Sequence, residues 1–494
     1  MRMASSRHQF AALALVLSAT VASTRPAVAE PQAAQTGTTP PPAENRISLR
    51  NWTRAEAWSF FEPLPGGGDP TYVDVANRLQ IGFQRTARRY DLTAALQYVQ
   101  FGGLPTDASG PGPLGTGALY FSHSGSRSSR QVYLRYLHAR WKDAAPGLTL
   151  QVGRMAYTSG AETPSGNVTI EAVKRQRVDA RIVGEFEWSL YQRSYDGVRL
   201  DWTRPTWKLT AAALRPTQGG FEEKAGAWMK NVSVLTGAVG LRPGRLLQGT
   251  DVQFFAVRYD DERPVSARPD NTGLPATHVD VTVNSLGATL VGAYPTKAGE
   301  LDALLWVVGQ SGDWYGQSHR AGALAAEIGY RWTDLPWRPW IRGGIGWASG
   351  DGDPRDDRHG TFFQAIPTGR KYSLSATYAF MNLTDVFVQA LLRPMPSLGL
   401  RADLRRVSLA EAADRWYAGS GATQSSGSFF GYGTRPSQGA TALGTVVEGS
   451  ADYTVNRRWS INAYVGVIKG GAVVRRIFAN DRLVFAYVEN VLQF

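Results

Sequence analysis

The chain has 494 residues, no cysteine, and 53 Lys and Arg residues against 41 Asp and Glu, which gives a formal net charge of +12. The absence of cysteine excludes a small secreted scaffold that disulfides hold together. A mean hydropathy of −0.25 resembles that of a water-soluble protein, yet 53 Gly, 15 Trp, 20 Tyr and 19 Phe accompany it. A membrane-spanning β-barrel has this profile, because residues that face lipid alternate with residues that face the interior.

The N-terminus has the three parts of a secretory signal peptide. Two arginines precede an apolar run from Phe10 to Ala22, and the small residues Ala27-Val28-Ala29 follow it. The run is too short to cross a bilayer comfortably as a helix. We therefore predict a signal peptide over residues 1–29, cleaved near Ala29, and a flexible leader over residues 30–45.

From residue 46 onward, apolar and polar residues alternate with the period of a β-strand. The eighteen predicted strands are Ile47–Phe60, Tyr72–Gln84, Leu92–Phe101, Val132–Trp141, Leu148–Tyr157, Gly197–Trp202, Trp207–Leu214, Val232–Leu241, Val252–Tyr259, His278–Leu290, Leu301–Val308, Leu324–Trp332, Trp340–Trp347, Thr384–Leu392, Leu400–Val407, Leu443–Val455, Trp459–Ile468 and Leu483–Phe494. We predict an all-β fold, a single antiparallel transmembrane barrel over residues 46–494. Eighteen strands fit best, and sixteen stays open because single-sequence boundaries are uncertain.

The connections between these strands alternate in length. Short turns follow every second strand, and long loops separate the others, including Thr158–Tyr195, Gly309–Arg320 and Ala348–Lys371. Outer-membrane barrels have short periplasmic turns and long extracellular loops. The alternation, together with a final strand that ends on the aromatic residue Phe494, predicts that the protein lies in the outer membrane of a Gram-negative cell.

Charged residues collect on one face of the predicted strands. Arg199 and Asp201, for example, alternate with Val198, Leu200 and Trp202. A charged side chain costs roughly 2–4 kcal/mol at the bilayer midplane, so the charged face must line the lumen. The predicted lumen residues are Arg50, Arg54, Arg78, Arg135, Arg199, Arg331, Arg342, Arg401 and Arg405.

Arginine exceeds carboxylate on this face, and a barrel of eighteen strands is wide enough for a water-filled channel. An excess of fixed positive charge would favour anions in the pore. The alternative that stays open is that arginines and carboxylates neutralise one another in ladders and only stabilise the wall.

Several short motifs resemble the alginate-export family of outer-membrane channels. Gly153-Arg154 ends one strand and Arg193 to Val198 begins the next, while Arg393-Pro394 and Phe494 end later strands. The most specific block is Ser349 to Tyr372, which precedes Asn382 and Asp385. The resemblance spans most of the mature chain.

The resemblance implies an eighteen-stranded monomer whose arginine-lined, anion-selective pore lets a polyuronate pass. Carried over by motif, Arg154, Arg193, Asp196 and Arg199 would be lumen or constriction residues. The chain is poor in Lys and rich in Gly and Ser loops, so its solute need not be alginate itself.

Acidic residues cluster in the loop after Ser349. Asp351, Asp353, Asp356 and Asp357 could supply clustered oxygen ligands to a hard cation such as Ca²⁺. The alternative is a solvated acidic loop without an ion. We expect no other metal and no cofactor.

The function predicted from the sequence is passive, electrostatically selective transport of anions, and an anionic polysaccharide is the expected substrate. A general diffusion porin is the main alternative. An outer-membrane enzyme is disfavoured, because the histidines are scattered and neither G-x-S-x-G nor H-E-x-x-H occurs.

Expected partners are outer-membrane lipid and lipopolysaccharide, anionic polysaccharide or small anions, a periplasmic export partner and the barrel-assembly machinery. Nucleic acid is not expected for an exported chain.

Overall fold

The computed structural model of the protein describes residues 43–108, 110, 117–220, 224–241, 244, 246–276, 278–369, 372–375, 377–426 and 430–494. The predicted signal peptide and residues 30–42 of the predicted leader lie outside the described residues. The leader's last two residues, Glu44 and Asn45, belong to the first strand. The barrel therefore begins two residues earlier than the sequence predicted, because Glu44 and Asn45 pair with Thr86 and Arg85 of the next strand.

The described chain forms 21 strands in chain order. They are β1 Glu44–Ser59, β2 Thr71–Thr86, β3 Tyr90–Gly102, β4 Arg130–Ala145, β5 Leu148–Met155, β6 Tyr195–Thr203, β7 Trp207–Pro216, β8 Val232–Leu241, β9 Thr250–Asp261, β10 Val281–Pro295, β11 Gly299–Trp314, β12 Gln317–Trp332, β13 Trp340–Ala348, β14 Arg358–His359, β15 Leu383–Met395, β16 Leu398–Ser408, β17 Arg415–Gly419, β18 Tyr432–Pro436, β19 Ala442–Asn456, β20 Trp459–Gly470 and β21 Arg482–Gln493. All except β14, β17 and β18 form the wall, and each pairs antiparallel with its neighbours.

The wall closes between its first and last strands. β1 and β21 pair antiparallel from Arg50 opposite Gln493 to Ser59 opposite Val484. Beyond that ladder, the backbone N–H of Leu49 donates to the carbonyl of Phe494 at 3.0 Å, and the reciprocal bond measures 2.8 Å. The predicted eighteen-stranded antiparallel barrel is confirmed, and the sixteen-stranded alternative is wrong.

The two ends of the barrel differ. Connections such as residues 146–147 and 457–458 are short at one end, which we call the turn end, and the long loops lie at the other, the loop end. The predicted loop Gly309–Arg320 is an exception, since β11 and β12 extend through it and meet at Tyr315 and Gly316. Both of these residues have positive φ, at 53° and 85°, as a two-residue type I′ hairpin turn requires.

The outward face of the wall is mostly apolar. Exposed side chains on it include Ile81, Leu137, Val198, Ile328 and Val388. The inward face holds most of the buried charges, including Arg54, Arg342, Arg405, Glu327 and Glu448. This arrangement suits a wall with lipid outside, because charges are costly in hydrocarbon.

Three long loops pack against one another and against the inner wall. We call residues 156–194 loop L3, residues 349–382 loop L7 and residues 409–441 loop L8, which contains the β17–β18 hairpin. L3 carries the helix Val168–Val173 and a π-turn over Lys174–Val178. Two backbone bonds join L3 to L7, from Gly184 N to Ile366 O at 2.9 Å and from Ile366 N to Ile182 O at 3.0 Å.

The remaining helices are Gly117–Ser124 and Ala472–Ile477. Within the described part of the chain, no helix has both the length and the apolar character needed to span a membrane.

Candidate functional site

Basic side chains of loop L3 cross the interior and reach wall strands that are distant in the sequence. Asn167 caps the N-terminus of the L3 helix, because its Oδ1 accepts hydrogen bonds from the N–H groups of Thr169 and Ile170. The π-turn that follows directs Lys174 to Asp251 on β9, with Nζ 2.8 Å from Oδ2. It directs Arg177 to Glu327 on β12, with Nε 2.8 Å from Oε1. L3 is therefore held at the inner wall by ion pairs.

Glu327 is the centre of a buried charge cluster. Besides Arg177, it faces Arg181 of L3 at 3.6 Å and Arg342 of β13 at 3.3 Å. Arg342 also places Nε 3.0 Å from Oδ1 of Asp302. Buried charges in such a cluster must be paired, because the desolvation of an unpaired ion costs several kcal/mol.

A second cluster surrounds Arg405 on β16. Its guanidinium lies 2.7 Å from Asp385, 3.2 Å from Asp403 and 3.6 Å from Glu448. Arg401, the next inward arginine of the strand, also pairs with Asp403. The predicted lumen residues Arg342, Arg401 and Arg405 therefore lie inside the barrel, and carboxylates balance them.

Arg54 and Arg78 face the interior near the barrel closure. Arg54 pairs with Glu56 at 2.8 Å and with Glu489 at 3.1 Å, and its guanidinium lies 3.4 Å from the ring centroid of Trp188 in L3. Arg78 lies 3.7 Å from the ring centroid of Trp52 and makes no ion pair with a carboxylate among the described residues. Cation–π contacts of this kind are strongest when the ring and the cation are desolvated.

Two further predicted lumen arginines are half-buried. Arg199 binds its strand neighbour Asp201 through two hydrogen bonds of 2.8 and 3.0 Å. Arg331 pairs with Glu300 and also donates to Thr169 of L3. The side chain of Arg199 is 20% exposed and that of Arg331 is 31% exposed, so solvent inside the barrel reaches both.

Arg135 and Arg193 are part of the packed loop core. Arg135 is the extra residue of a bulge in β4, and it contacts Glu185 and the carbonyl of Arg193. Arg193 precedes β6 and donates to the carbonyl of Ala422 in L8 at 2.7 Å. Both side chains are buried, so the structure assigns them to loop packing.

Arg154 and Asp196 do not line the lumen. Arg154 pairs in register with Leu137 and Asp196, and it lies two residues from the exposed Val152, on the same face of β5. The two side chains form an ion pair of 2.7 Å on the outward face near the loop end. The prediction from motif resemblance fails here, because strand alternation puts both residues on the lipid-facing side.

The turn end of the lumen carries arginines without carboxylate partners. Arg50 is exposed there, in a pocket of about 390 Å³ whose wall includes Arg46, Arg457 and Arg458. Arg140 is also exposed, and it shares the inward face of β4 with His138. Within the described chain, Arg46, Arg50 and Arg140 make no ion pair with a carboxylate.

Sequence reasoning missed several of these cations. Arg46 and Arg140 continue the same alternation that identified Arg50, so the signal was present. Lys174, Arg177 and Arg181 lie in a stretch with four cations in eight residues, KRQRVDAR, and that density inside a predicted loop was the available signal.

The acidic loop after Ser349 divides into two environments. Asp353, Asp356 and Asp357 are exposed, and Asp353 pairs with Arg355. Asp351 is buried. Across the described residues, no group of three or more His, Cys, Asp or Glu side chains is placed to hold a metal ion. The predicted four-aspartate cation site therefore does not form.

A closed eighteen-strand barrel with an apolar exterior and a charged interior defines an outer-membrane β-barrel channel. The sequence model described as alginate export matches residues 126–481. The chain belongs to the alginate export family. No curated protein has a sequence that matches this chain significantly.

Solved structures of outer-membrane proteins share the fold. The outer membrane protein opdK from Pseudomonas aeruginosa is 10% identical, with a TM-score of 0.54 over 91% of this chain and 99% of its own. OccAB2 from Acinetobacter baumannii is 9% identical, with a TM-score of 0.58 over 91% and 98%. OccK9 (OpdG) from Pseudomonas aeruginosa is 11% identical, with a TM-score of 0.55 over 92% and 98%. At these identities the likeness concerns the fold alone.

Proposed function

We propose that the channel passes anionic solutes by passive, electrostatically selective transport, and that an anionic polysaccharide such as alginate or a related polyuronate is the substrate class. The observation that carries this proposal is the set of exposed turn-end arginines, Arg46, Arg50 and Arg140, which have no carboxylate partners in the described chain.

The chemistry of a polyuronate suits these arginines. Each uronate residue carries a carboxylate, and a planar guanidinium can bind a carboxylate through two parallel hydrogen bonds. Arginines at separate positions around the opening can bind successive sugars and release them in turn. Conduction requires binding that is favourable enough for entry and weak enough for exit.

The buried arginines have a different role in this proposal. Arg342 and Arg405 are fully buried and lie between carboxylates, so they contribute little net charge to a passing solute. Their pairs hold the wall and loops L3 and L7 in place. Selectivity would therefore reside in the exposed turn-end arginines and in the half-exposed Arg199 and Arg331.

The setting of the channel follows from its class. In outer-membrane barrels the short turns face the periplasm, so the turn-end arginines would meet solutes on the periplasmic side. Lipid and lipopolysaccharide surround such a barrel. A periplasmic export partner and the barrel-assembly machinery remain predictions.

Block of single-channel current by an oligouronate tests the proposal. The purified protein in a planar bilayer should be blocked by an oligouronate and not by a neutral oligosaccharide of equal length. The double variant R50Q/R140Q should raise the blocking concentration about tenfold or more, since one charge-assisted hydrogen bond contributes about 1.5–3 kcal/mol.

R258Q is the matched control, because Arg258 lies on the outward face, opposite the exposed Leu235. Its blocking concentration should equal that of the native channel. Equal effects of neutral and acidic oligosaccharides would favour the general diffusion porin instead.

A further inference from the structure

Three loops meet around two buried carboxylates at the loop end. Asp351 of L7 donates its backbone N–H to Oδ2 of Asp414 in L8 at 2.9 Å. Asn271, in residues 262–280 (loop L5), donates its side-chain amide to the carbonyls of Asp351 and Ala413, both at 3.2 Å. Side chains from L5 and L8 therefore converge on one turn of L7.

The two carboxylates are buried without a cation. Asp351 is 3% exposed and Asp414 is 1% exposed, and neither lies within 4.0 Å of a Lys or Arg nitrogen in the described chain. Asp414 is well satisfied, because Thr361 and Tyr417 donate to it at 2.6 and 2.7 Å. Two backbone N–H groups complete its hydrogen bonds.

Asp351 is poorly satisfied by comparison. Its Oδ1 accepts one long bond of 3.3 Å from the N–H of Asp353. Its Oδ2 is buried and has no donor among the described residues, and the same holds for Oδ1 of the neighbouring Asn271. A buried acceptor without a donor costs about 1–3 kcal/mol, and more when it is charged.

We propose that Oδ2 of Asp351 and Oδ1 of Asn271, beside Asp414, bind a divalent cation, with Ca²⁺ as the best fit, which joins loops L5, L7 and L8. Carboxylate and amide-carbonyl oxygens are ligands that Ca²⁺ accepts, and Ca²⁺ tolerates irregular coordination that Mg²⁺ does not. The cation would supply the positive charge that protein side chains do not bring to this carboxylate pair.

Binding of the cation requires the ionised carboxylate of Asp351, because a proton and a divalent cation compete for the same oxygen. The calcium affinity should therefore fall as pH falls.

The consequence of binding extends to the interior. L7 contacts L3 through the Gly184–Ile366 and Ile366–Ile182 backbone bonds, and L3 carries Arg177 to the wall. A cation that fixes L7 against L5 and L8 would restrict movement of this whole loop assembly. Removal of the cation should increase hydrogen exchange in residues 349–369.

Calcium titration of the full-length mature protein in detergent, followed by calorimetry, tests the site. The native protein should show one saturable site with a dissociation constant of about 10⁻⁴–10⁻³ M, the range of extracellular calcium modules. D351N should weaken binding at least tenfold, and N271D, which adds a carboxylate at the same place, should tighten it.

D353N is the matched control, since Asp353 lies two residues from Asp351 and its side chain is 53% exposed. Its affinity should equal that of the native protein. The proposal is overturned if the native protein shows no saturable calcium binding up to 10-fold above the expected range, or if D353N weakens binding as much as D351N. If D351N does not fold, the opposite shift expected of N271D decides the question alone.

Discussion

Arg177 of loop L3 and Glu327 of β12 form a buried ion pair, with Nε 2.8 Å from Oε1, although 150 residues separate them in the sequence. The pair joins a long loop to the inside of the opposite wall. Arg181 and Arg342 face the same carboxylate, so one residue of the wall contacts three arginines.

Removal of that carboxylate should be strongly destabilising. E327Q leaves three buried arginines without their common partner, and breaking a buried ion pair typically costs about 3–5 kcal/mol. Urea unfolding of the protein in detergent should show this loss, and L3 should exchange hydrogen faster.

E300Q is the comparison for this experiment, because the partner of Glu300, Arg331, is 31% exposed at its side chain. A partly solvated pair contributes less, about 0–1 kcal/mol for the exposed limit. If E327Q and E300Q lower the free energy of unfolding equally, the claim that Glu327 is the centre of the buried cluster is contradicted.

Acidification should loosen the attachment of L7 to β12. His359 of L7 is buried, its ring stacks on Trp314 at 4.1 Å, and its Nδ1 lies 2.9 Å from Nδ1 of His319. Burial lowers the pKa of His359 well below its usual value, and His319 and Arg268 lower it further. A histidine whose pKa falls on folding favours the folded form above pH 6.5, and that contribution disappears as pH falls.

The measurement is hydrogen exchange of residues 356–363 between pH 7 and pH 5, corrected for the intrinsic effect of pH. Protection should decrease on acidification in the native protein and change less in H359Q. If H359Q loses as much protection on acidification as the native protein does, the pH dependence belongs to another group.

Asp351 gives a pH dependence of opposite sign. Its pKa rises from 3.8 to about 7, so the folded loops bind the proton more tightly than the unfolded chain. The contact of L7 with L8 should therefore lose stability as pH rises from 3.8 through 7 in a calcium chelator. D351N should abolish this dependence of loop stability on pH, and saturating Ca²⁺ should abolish it in the native protein. If loop stability still falls with rising pH in D351N, Asp351 is excluded as the source.

Local alternation was sufficient to predict the wall. Each wall strand pairs with the wall strands before and after it in the chain, and the first strand pairs with the last. The inward and outward faces repeat every two residues. Arg54, Arg342 and Arg405 lie on the inward face for this reason, where ion pairs bury them. Alternation from Val152 and Val198 also puts Arg154 and Asp196 outside, and only motif resemblance suggested otherwise.

The interior could not be predicted in the same way. Lys174, Arg177 and Arg181 find partners on distant strands, and no local pattern specifies which strand a loop residue reaches. The orphaned oxygen of Asp351 was likewise invisible, because the sequence shows four similar aspartates and only the fold shows which one is buried. The extension of β11 and β12 to Tyr315 and Gly316 was missed because polar residues there resemble a loop.

The reversal potential of the native channel in a KCl gradient across a planar bilayer tests the proposed function most directly. The exposed arginines at the turn end predict anion selectivity, with a reversal potential displaced toward the chloride equilibrium potential, and R50Q/R140Q should reduce the displacement. A reversal potential displaced toward the potassium equilibrium potential would contradict the proposal and leave the arginines with a structural role in the wall.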